Sequence, residues 1–346
     1  MKKKICVVGA GSWGLALALL LNEKDYDVTV WCYSPGEKDM IEAAGENKRC
    51  LPGISLPISI HFTTDIEAAI EGKEIIVMAI PSEFMRDNIK NIAPFVTSDQ
   101  IIVNVAKGLE YDTLFRLSEV IESELPSNPV VVLSGPSHAE EVARKLPTTV
   151  TVSSKSKLIA EQIQDVFTTD YFRVYTNPDL IGVELGGALK NVIAFAAGVV
   201  EGMGYGDNTK AALITRGLTE ITRLGVAMGA NQQTFSGLSG IGDLIVTCTS
   251  PHSRNRYAGE LIGKGYTLDE ALKEVNMVVE GVHTAKGAYR LKNKYNVRMP
   301  IISQVYKTLF EGLSAEEALH NLMVRDQKDE HSGEELLWQQ PVTWNL

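Results

Sequence analysis

A doubly wound α/β domain followed by an all-α domain is the architecture this sequence predicts, and three features carry it. Short unbroken apolar runs alternate with helical segments through the first half of the chain. Strand signals fade after Asn177-Pro178, and helical patterns take over. The length, 346 residues, also exceeds what one core usually organises. The expected division is therefore 1–178 and 179–346.

Residues 4–8 form a short β-type run, 13–21 read as a helix and 28–31 as a second strand, which together spell one βαβ unit. Further strands are expected at 75–80, 101–105 and 130–133, with helices at 83–92 and 113–125 between them. These strands are continuously apolar, as in a parallel sheet covered on both faces. Strands at 148–152 and 172–175 flank a helix at 157–167. Beyond Pro178 helices are expected at 184–200, 210–228, 254–262, 268–275, 284–295, 301–310 and 315–322. Thr267 and Ser314 stand where N-caps belong, each with a carboxylate in the following turn. The polar tail from Asp326 to Leu346, with Trp338, Pro341 and Trp344, is expected to be loosely ordered or packed on the surface and to carry no chemistry.

Composition narrows the function classes. Apolar residues make up 45% and charged residues 22%, an ordinary globular balance. The net charge of −10, with no long basic run, argues against nucleic acid as a partner, so any anion needs a local site. No apolar stretch of bilayer length is expected, the nearest being 15–21. The start Met1-Lys2-Lys3-Lys4 imitates a signal peptide until Gly9-Ala10-Gly11-Ser12 interrupts it, which favours a cytoplasmic location. Cys6, Cys32, Cys50 and Cys248 form no Cys-x-x-Cys pair and are expected as free thiols. The six histidines lack metal-ligand spacing, so no metal is expected. Serine-hydrolase and Walker signatures are absent from the sequence.

Gly9-x-Gly11-x-x-Gly14 directly follows the first strand and opens the first helix, the context that makes this pattern a Rossmann-type dinucleotide signature. Gly9 permits a tight turn, Gly11 lets the backbone reach a pyrophosphate, and Gly14 lets helix and strand pack closely. The second strand ends in Trp31-Cys32-Tyr33-Ser34-Pro35, with neither a ribose-binding carboxylate nor an arginine for a 2′-phosphate. Glu37 and Lys38 follow without deciding the matter, so NAD or NADP both stay open, with NADPH at least accepted.

Several further segments occur in order along the chain. They include Ala79-Ile80-Pro81-Ser82, Lys107-Gly108-Leu109-Glu110, Ser134-Gly135-Pro136-Ser137-His138-Ala139 and Glu184-Leu185-Gly186-Gly187-Ala188-Leu189-Lys190-Asn191. Asn208-Thr209-Lys210-Ala211-Ala212, Gly240-Ile241-Gly242-Asp243-Leu244 and Ser253-Arg254-Asn255 complete the set. With the first glycine motif they resemble the NAD(P)-dependent glycerol-3-phosphate dehydrogenases of bacterial type over nearly the whole chain. The resemblance implies metal-free, reversible hydride transfer between NAD(P)H and dihydroxyacetone phosphate, supplying the backbone for glycerophospholipid synthesis. It also implies a homodimer. By the same resemblance the cofactor is held at Ser12, Trp13, Tyr33, Lys107, Ala139, Arg254, Val278 and Glu280, beside the three glycines. The substrate is held at Lys107, Gly135, Ser137, Lys190, Asp243, Ser253, Arg254 and Asn255, with Lys190 carrying the proton. Tyr33 departs from the His or Arg often found at its position in the family.

The residues have readings of their own. Lys190 interrupts a nearly uncharged helical run, where desolvation lowers an ammonium pKa and suits it to donate a proton; a snorkelling surface lysine is the alternative. Asp243 either orients that lysine or caps a helix. Ser253 reads as an N-cap and places Arg254 in a first turn, a phosphate-binding arrangement whose alternative is a solvated arginine. Lys107 follows the carboxyl end of a strand, where ligands gather in open α/β sheets. His138 reads as a polar loop histidine, because the resemblance gives the proton to lysine. Competing readings are a related two-domain dehydrogenase of β-hydroxyacid type and a dinucleotide-sensing protein without turnover. The first lacks the Gly-Gly-Ala-Leu-Lys-Asn and Ser-Arg-Asn segments, and the second needs no proton donor.

With no carboxylate at the end of the second strand, NADPH should be accepted at least comparably to NADH. Initial rates with dihydroxyacetone phosphate and each cofactor measure this; a hundredfold preference for NADH would show that a residue elsewhere, such as Glu37, supplies the carboxylate.

Overall fold

The computed structural model describes residues 2–327 and 330. The first half alternates β1 (Lys4–Val8), α1 (Ser12–Glu23), β2 (Asp27–Trp31), α2 (Pro35–Ala44), β3 (His61–Thr63) and α3 (Ile66–Ile70). It continues through β4 (Ile75–Met78), α4 (Met85–Ile92), β5 (Ile101–Asn104), α5 (Leu117–Glu124), β6 (Val130–Ser134) and α6 (Ala139–Ala143). β7 (Thr148–Ser154), α7 (Lys157–Phe167) and β8 (Phe172–Asn177) close it. The strands make one eight-stranded sheet ordered β3-β2-β1-β4-β5-β6-β7-β8. Side chains alternate between its faces: Ile5 and Val7 join one buried cluster and Cys6 and Val8 another, which is why β1 is apolar throughout.

The sheet is parallel from β3 to β6, but β7 runs antiparallel to β6, with Val131 opposite Ser154. The five-residue α6 that joins them rises only about 7.5 Å, less than the roughly 17 Å of a five-residue strand, so the chain turns back before a full crossover. The helix expected at 113–125 begins only at Leu117. Leu114 takes a φ of +64°, and Leu109 bridges Arg116 before the helix starts. The capped helices α2 and α3 were not anticipated, although Ser34 Oγ accepts from Glu37 N and Asp65 Oδ1 from Ala68 N, each at 3.2 Å.

The second half comprises α8 (Leu180–Gly202), α9 (Asp207–Ala227), α10 (Asp243–Thr249), α11 (Arg254–Gly263) and α12 (Leu268–Val275). α13 (Glu280–Lys294), α14 (Pro300–Phe310) and α15 (Ala315–Met323) follow. Thr267 and Ser314 cap α12 and α15 as expected. α8 corrects one expectation: at 23 residues and mean hydropathy 1.5 it is long and apolar enough to cross a bilayer. Its apolar window is nonetheless 94% buried inside the protein, because α9, α10, α11, α13 and α14 pack around it. At its start, Glu184 accepts from Ser118 N at 2.8 Å and from Arg116 Nη1 at 2.6 Å, tying the helical half to the sheet half. Of the tail, Trp338, Pro341 and Trp344 lie outside the described residues.

α8 and α11 meet backbone to backbone. A Cβ on Gly198 would fall inside the radius of the Arg256 carbonyl oxygen, and one on Gly259 would do the same to the Phe195 oxygen. This crossing sets the start of α11 beside the middle of α8. Gly198→Ala gains ~0.5–1 kcal/mol of helix propensity but forces two backbones apart, and overpacking of this kind costs ~1–3 kcal/mol or more. A lower urea midpoint is expected; an unchanged midpoint would show that the crossing is looser than these contacts imply.

Candidate active site

The glycine turn is built as the signature requires. Gly9 has φ +116°, and a Cβ there would stand 2.6 Å from the Ala79 carbonyl oxygen; one on Gly14 would collide with the Gly9 oxygen. Among the described residues, no side chain caps α1, and nothing lies within 4 Å of a Cβ placed on Gly11. The helix N-terminus beginning at Ser12 and Trp13 thus faces open space with its positive end, a fit for a dinucleotide pyrophosphate. Asn47, fully buried, donates to the Ala10 carbonyl at 3.0 Å and holds the turn from behind. Trp13 packs against Phe172, Tyr33 stands 83% exposed edge-on to Trp31, and Ala139 opens α6.

At the carboxyl ends of β5 and β6 the sheet meets α8 and α10. Lys107 Nζ donates to the Gly135 carbonyl at 2.9 Å and to Asp243 Oδ2 at 2.8 Å. Lys190 Nζ donates to the other oxygen of the same carboxylate, and to Thr247 Oγ1 at 2.6 Å. Thr247 in turn donates to the Asp243 carbonyl at 2.6 Å, which turns its oxygen toward the ammonium. The Gly-Gly pair of α8 makes this possible, since a Cβ on Gly187 would strike Ser134 Oγ at 2.6 Å and crowd the Lys107 stem. Ser137 Oγ donates to the same Gly135 carbonyl at 2.9 Å.

Burial pushes the Lys190 ammonium down to about 7; Asp243 opposes that fall and the neighbouring Lys107 adds to it. His138 is drawn into the same field. Burial lowers its pKa, the Lys190 and Lys107 charges lower it further, and its buried Nε2 has no hydrogen-bond partner among the described residues. Its ring lies 5.9 Å from that of His252. The polar loop histidine of the sequence reading is therefore a wall of the site.

Ser253 caps α11, accepting from Arg256 N at 3.2 Å. Arg256 is buried against Glu201 and Glu260, whereas Arg254, two residues earlier, is exposed and makes no hydrogen bond or ion pair with any described residue. Its charge is felt at Cys50, which lies against the Ser12 N–H, and at Glu280, so it stands near the glycine turn and the Ser82–Glu280 pair. Asn255 donates to Asn191 Oδ1 at 3.0 Å and accepts from Gly281 N at 2.8 Å, locking α11 to α8 and α13. Val278 precedes α13, and Glu280 begins it, accepting from Ser82 N at 2.9 Å and Ser82 Oγ at 2.5 Å. Burial raises the Glu280 pKa. Sequence reasoning missed Thr247, Ser82, Asn191 and Asn47 as supports. Thr247 had a local signal, standing four residues after Asp243 on one helix face, and Ser82 and Asn191 stood inside the ordered segments without a role of their own.

Residues 4–160 match the family model described as NAD-dependent glycerol-3-phosphate dehydrogenase N-terminus, and residues 179–320 match that of the C-terminus. The chain is 56% identical over 329 residues to the glycerol-3-phosphate dehydrogenase [NAD(P)+] of Agathobacter rectalis, covering 95% of this chain and 98% of that one. It is 54% identical to the Bacillus subtilis protein of the same name over 331 residues, 95% and 96% of the two chains. The crystal structure of glycerol-3-phosphate dehydrogenase from Coxiella burnetii superposes with a TM-score of 0.91 at 38% identity, covering 94% of this chain and 99% of that one. With both domains matched and curated relatives more than half identical over nearly the whole chain, the chain belongs to the NAD-dependent glycerol-3-phosphate dehydrogenase family, a family of NAD(P)-dependent oxidoreductases.

Proposed function

We propose that Lys190 is the proton donor in the reversible reduction of dihydroxyacetone phosphate to sn-glycerol 3-phosphate, with domains dividing near Pro178. One observation carries the assignment: a buried ammonium whose pKa falls to about 7 shares a carboxylate with a second lysine at the carboxyl edge of the sheet. Bound at the glycine cradle, NADH or NADPH supplies the hydride. As negative charge grows on the ketone oxygen, Lys190 polarises it and gives up a proton from Nζ, leaving a neutral amine. Asp243 and Thr247 aim Lys190, and Lys107 adds a second positive charge beside the developing oxyanion. Gly135, Ser137, Ser253 and Asn255 shape the substrate cleft, and Arg254 takes a phosphate in the first turn of α11. Gly9, Gly11, Gly14, Ser12, Trp13, Tyr33, Ala139, Val278 and Glu280 line the cofactor's path. The product is the backbone of glycerophospholipids, and the reading extends to a cytoplasmic homodimer on the strength of the family resemblance.

Lys190→Met keeps most of the aliphatic stem and removes charge and proton. Turnover should fall by ~10²–10⁴-fold or more while cofactor binding survives. If Lys107→Met abolishes turnover and Lys190→Met does not, the roles are reversed. The sign of the pH dependence follows: ketone reduction needs Lys190 protonated, so its kcat/KM declines as pH rises through about 7, and alcohol oxidation rises over the same interval. A reduction rate flat from pH 6 to roughly 9 contradicts the assignment. Arg254→Ala should raise the KM for dihydroxyacetone phosphate more than tenfold, since a charge-assisted phosphate contact contributes ~1.5–3 kcal/mol. Unchanged saturation removes Arg254 from the site.

A further inference from the structure

We infer a second anion site, on the outer side of the helical domain, that takes a small phosphorylated or polycarboxylate anion between Arg216, Arg223, Arg298 and Arg325. These residues line a cavity of about 220 Å³ that shares no residue with the glycine cradle or the lysine pair. Arg216 and Arg223 stand two turns apart on one face of α9, Arg298 comes from the segment before α14, and Arg325 follows α15. Three separate elements thus turn guanidinium groups into one hollow.

Like charges gather at a cost unless something negative compensates them. The carboxylate at the centre, Glu220, is buried and already engaged: its oxygens accept from Ile301 N at 2.7 Å and Ile302 N at 3.1 Å, at the start of α14. Asp326 and Glu330 lie at the rim and are exposed, and Arg216 meets Glu330 through the main-chain carbonyl, at 3.1 Å, leaving that carboxylate unused by Arg216. Arg298 makes no hydrogen bond or ion pair with any described residue. Burial lowers the Arg223 pKa, and the facing Arg216 and Arg298 charges lower it further against the pull of Glu220. Among the described residues, four guanidinium groups line the hollow with three carboxylates, of which Glu220 is also held by the backbone N–H groups of α14. Guanidinium forks match phosphate and carboxylate oxygens in pairs, so an oxyanion is the ligand this geometry recognises.

Inorganic phosphate is the probe, titrated calorimetrically into the full chain at constant ionic strength with chloride as the balancing ion. The Arg254→Gln background removes the phosphate contact proposed for the active site. In that background about one equivalent of phosphate should still bind, and adding Arg216→Gln and Arg298→Gln should weaken it at least tenfold. The same pair in an otherwise unaltered chain should leave turnover of dihydroxyacetone phosphate unchanged, which separates this site from the catalytic one. Arg298→Gln alone, which breaks no described contact, reads the same loss should the double variant fold poorly. The inference fails if Arg254→Gln abolishes all phosphate binding, or if binding ignores Arg216 and Arg298. It also fails if phosphate binds only to a chain ended after Asp326, because the acidic segment beyond is then the natural occupant.

Discussion

The carboxylate of Asp243 is fully buried and receives ammonium groups from two directions, Lys107 from the edge of the sheet and Lys190 from the axis of the helical half. Without it the cleft would hold two like charges in a poorly solvated space, and removing one partner of a buried ion pair typically costs ~3–5 kcal/mol. The carboxylate is thus a structural clasp between the halves of the chain and, in the proposed mechanism, an electrostatic support for the chemistry. It is shared unevenly in consequence: Lys190 is buried and pushed toward neutrality, while Lys107 keeps partial access to solvent.

The clasp works only because backbones approach closely around it. Gly187 leaves room for the Lys107 stem to pass α8, and the Gly198 and Gly259 contacts bring α11 against the same helix. Asn255 and Asn191 then complete the lock with α13, whose first residue, Glu280, is held by Ser82 from the sheet half. Small residues and short polar side chains fix the relative position of cradle and lysines to within hydrogen-bonding distance. Proton donation at a carbonyl oxygen requires that tolerance.

Much of this was legible in the sequence, for identifiable reasons. The apolar runs of β1, β4, β5 and β6 follow from burial on both sheet faces, a constraint written directly into residue type. The glycine turn was readable because each glycine answers a local steric demand, and Ser253 because an N-cap is a property of four consecutive residues. Edge features were harder. The three-residue β3 and five-residue α3 and α6 are too short to show a period, and the reversal at β7 depends on how far a connection travels.

The chain's order of residues alone determined the two-domain plan, the glycine turn, and the candidacy of Lys107, Lys190, Asp243 and Arg254. Tertiary structure decided what these groups do to one another. That Lys107 and Lys190, far apart in sequence, grip opposite oxygens of one carboxylate, that Thr247 supports Lys190 and Ser82 holds Glu280, and that His138 borders the same field are facts of three-dimensional proximity. Burial likewise made α8 a core axis, although its composition alone would suit a bilayer. Local sequence encodes conformational preference and apolar pattern; desolvation and charge coupling arise only when distant segments close around a group and exclude water.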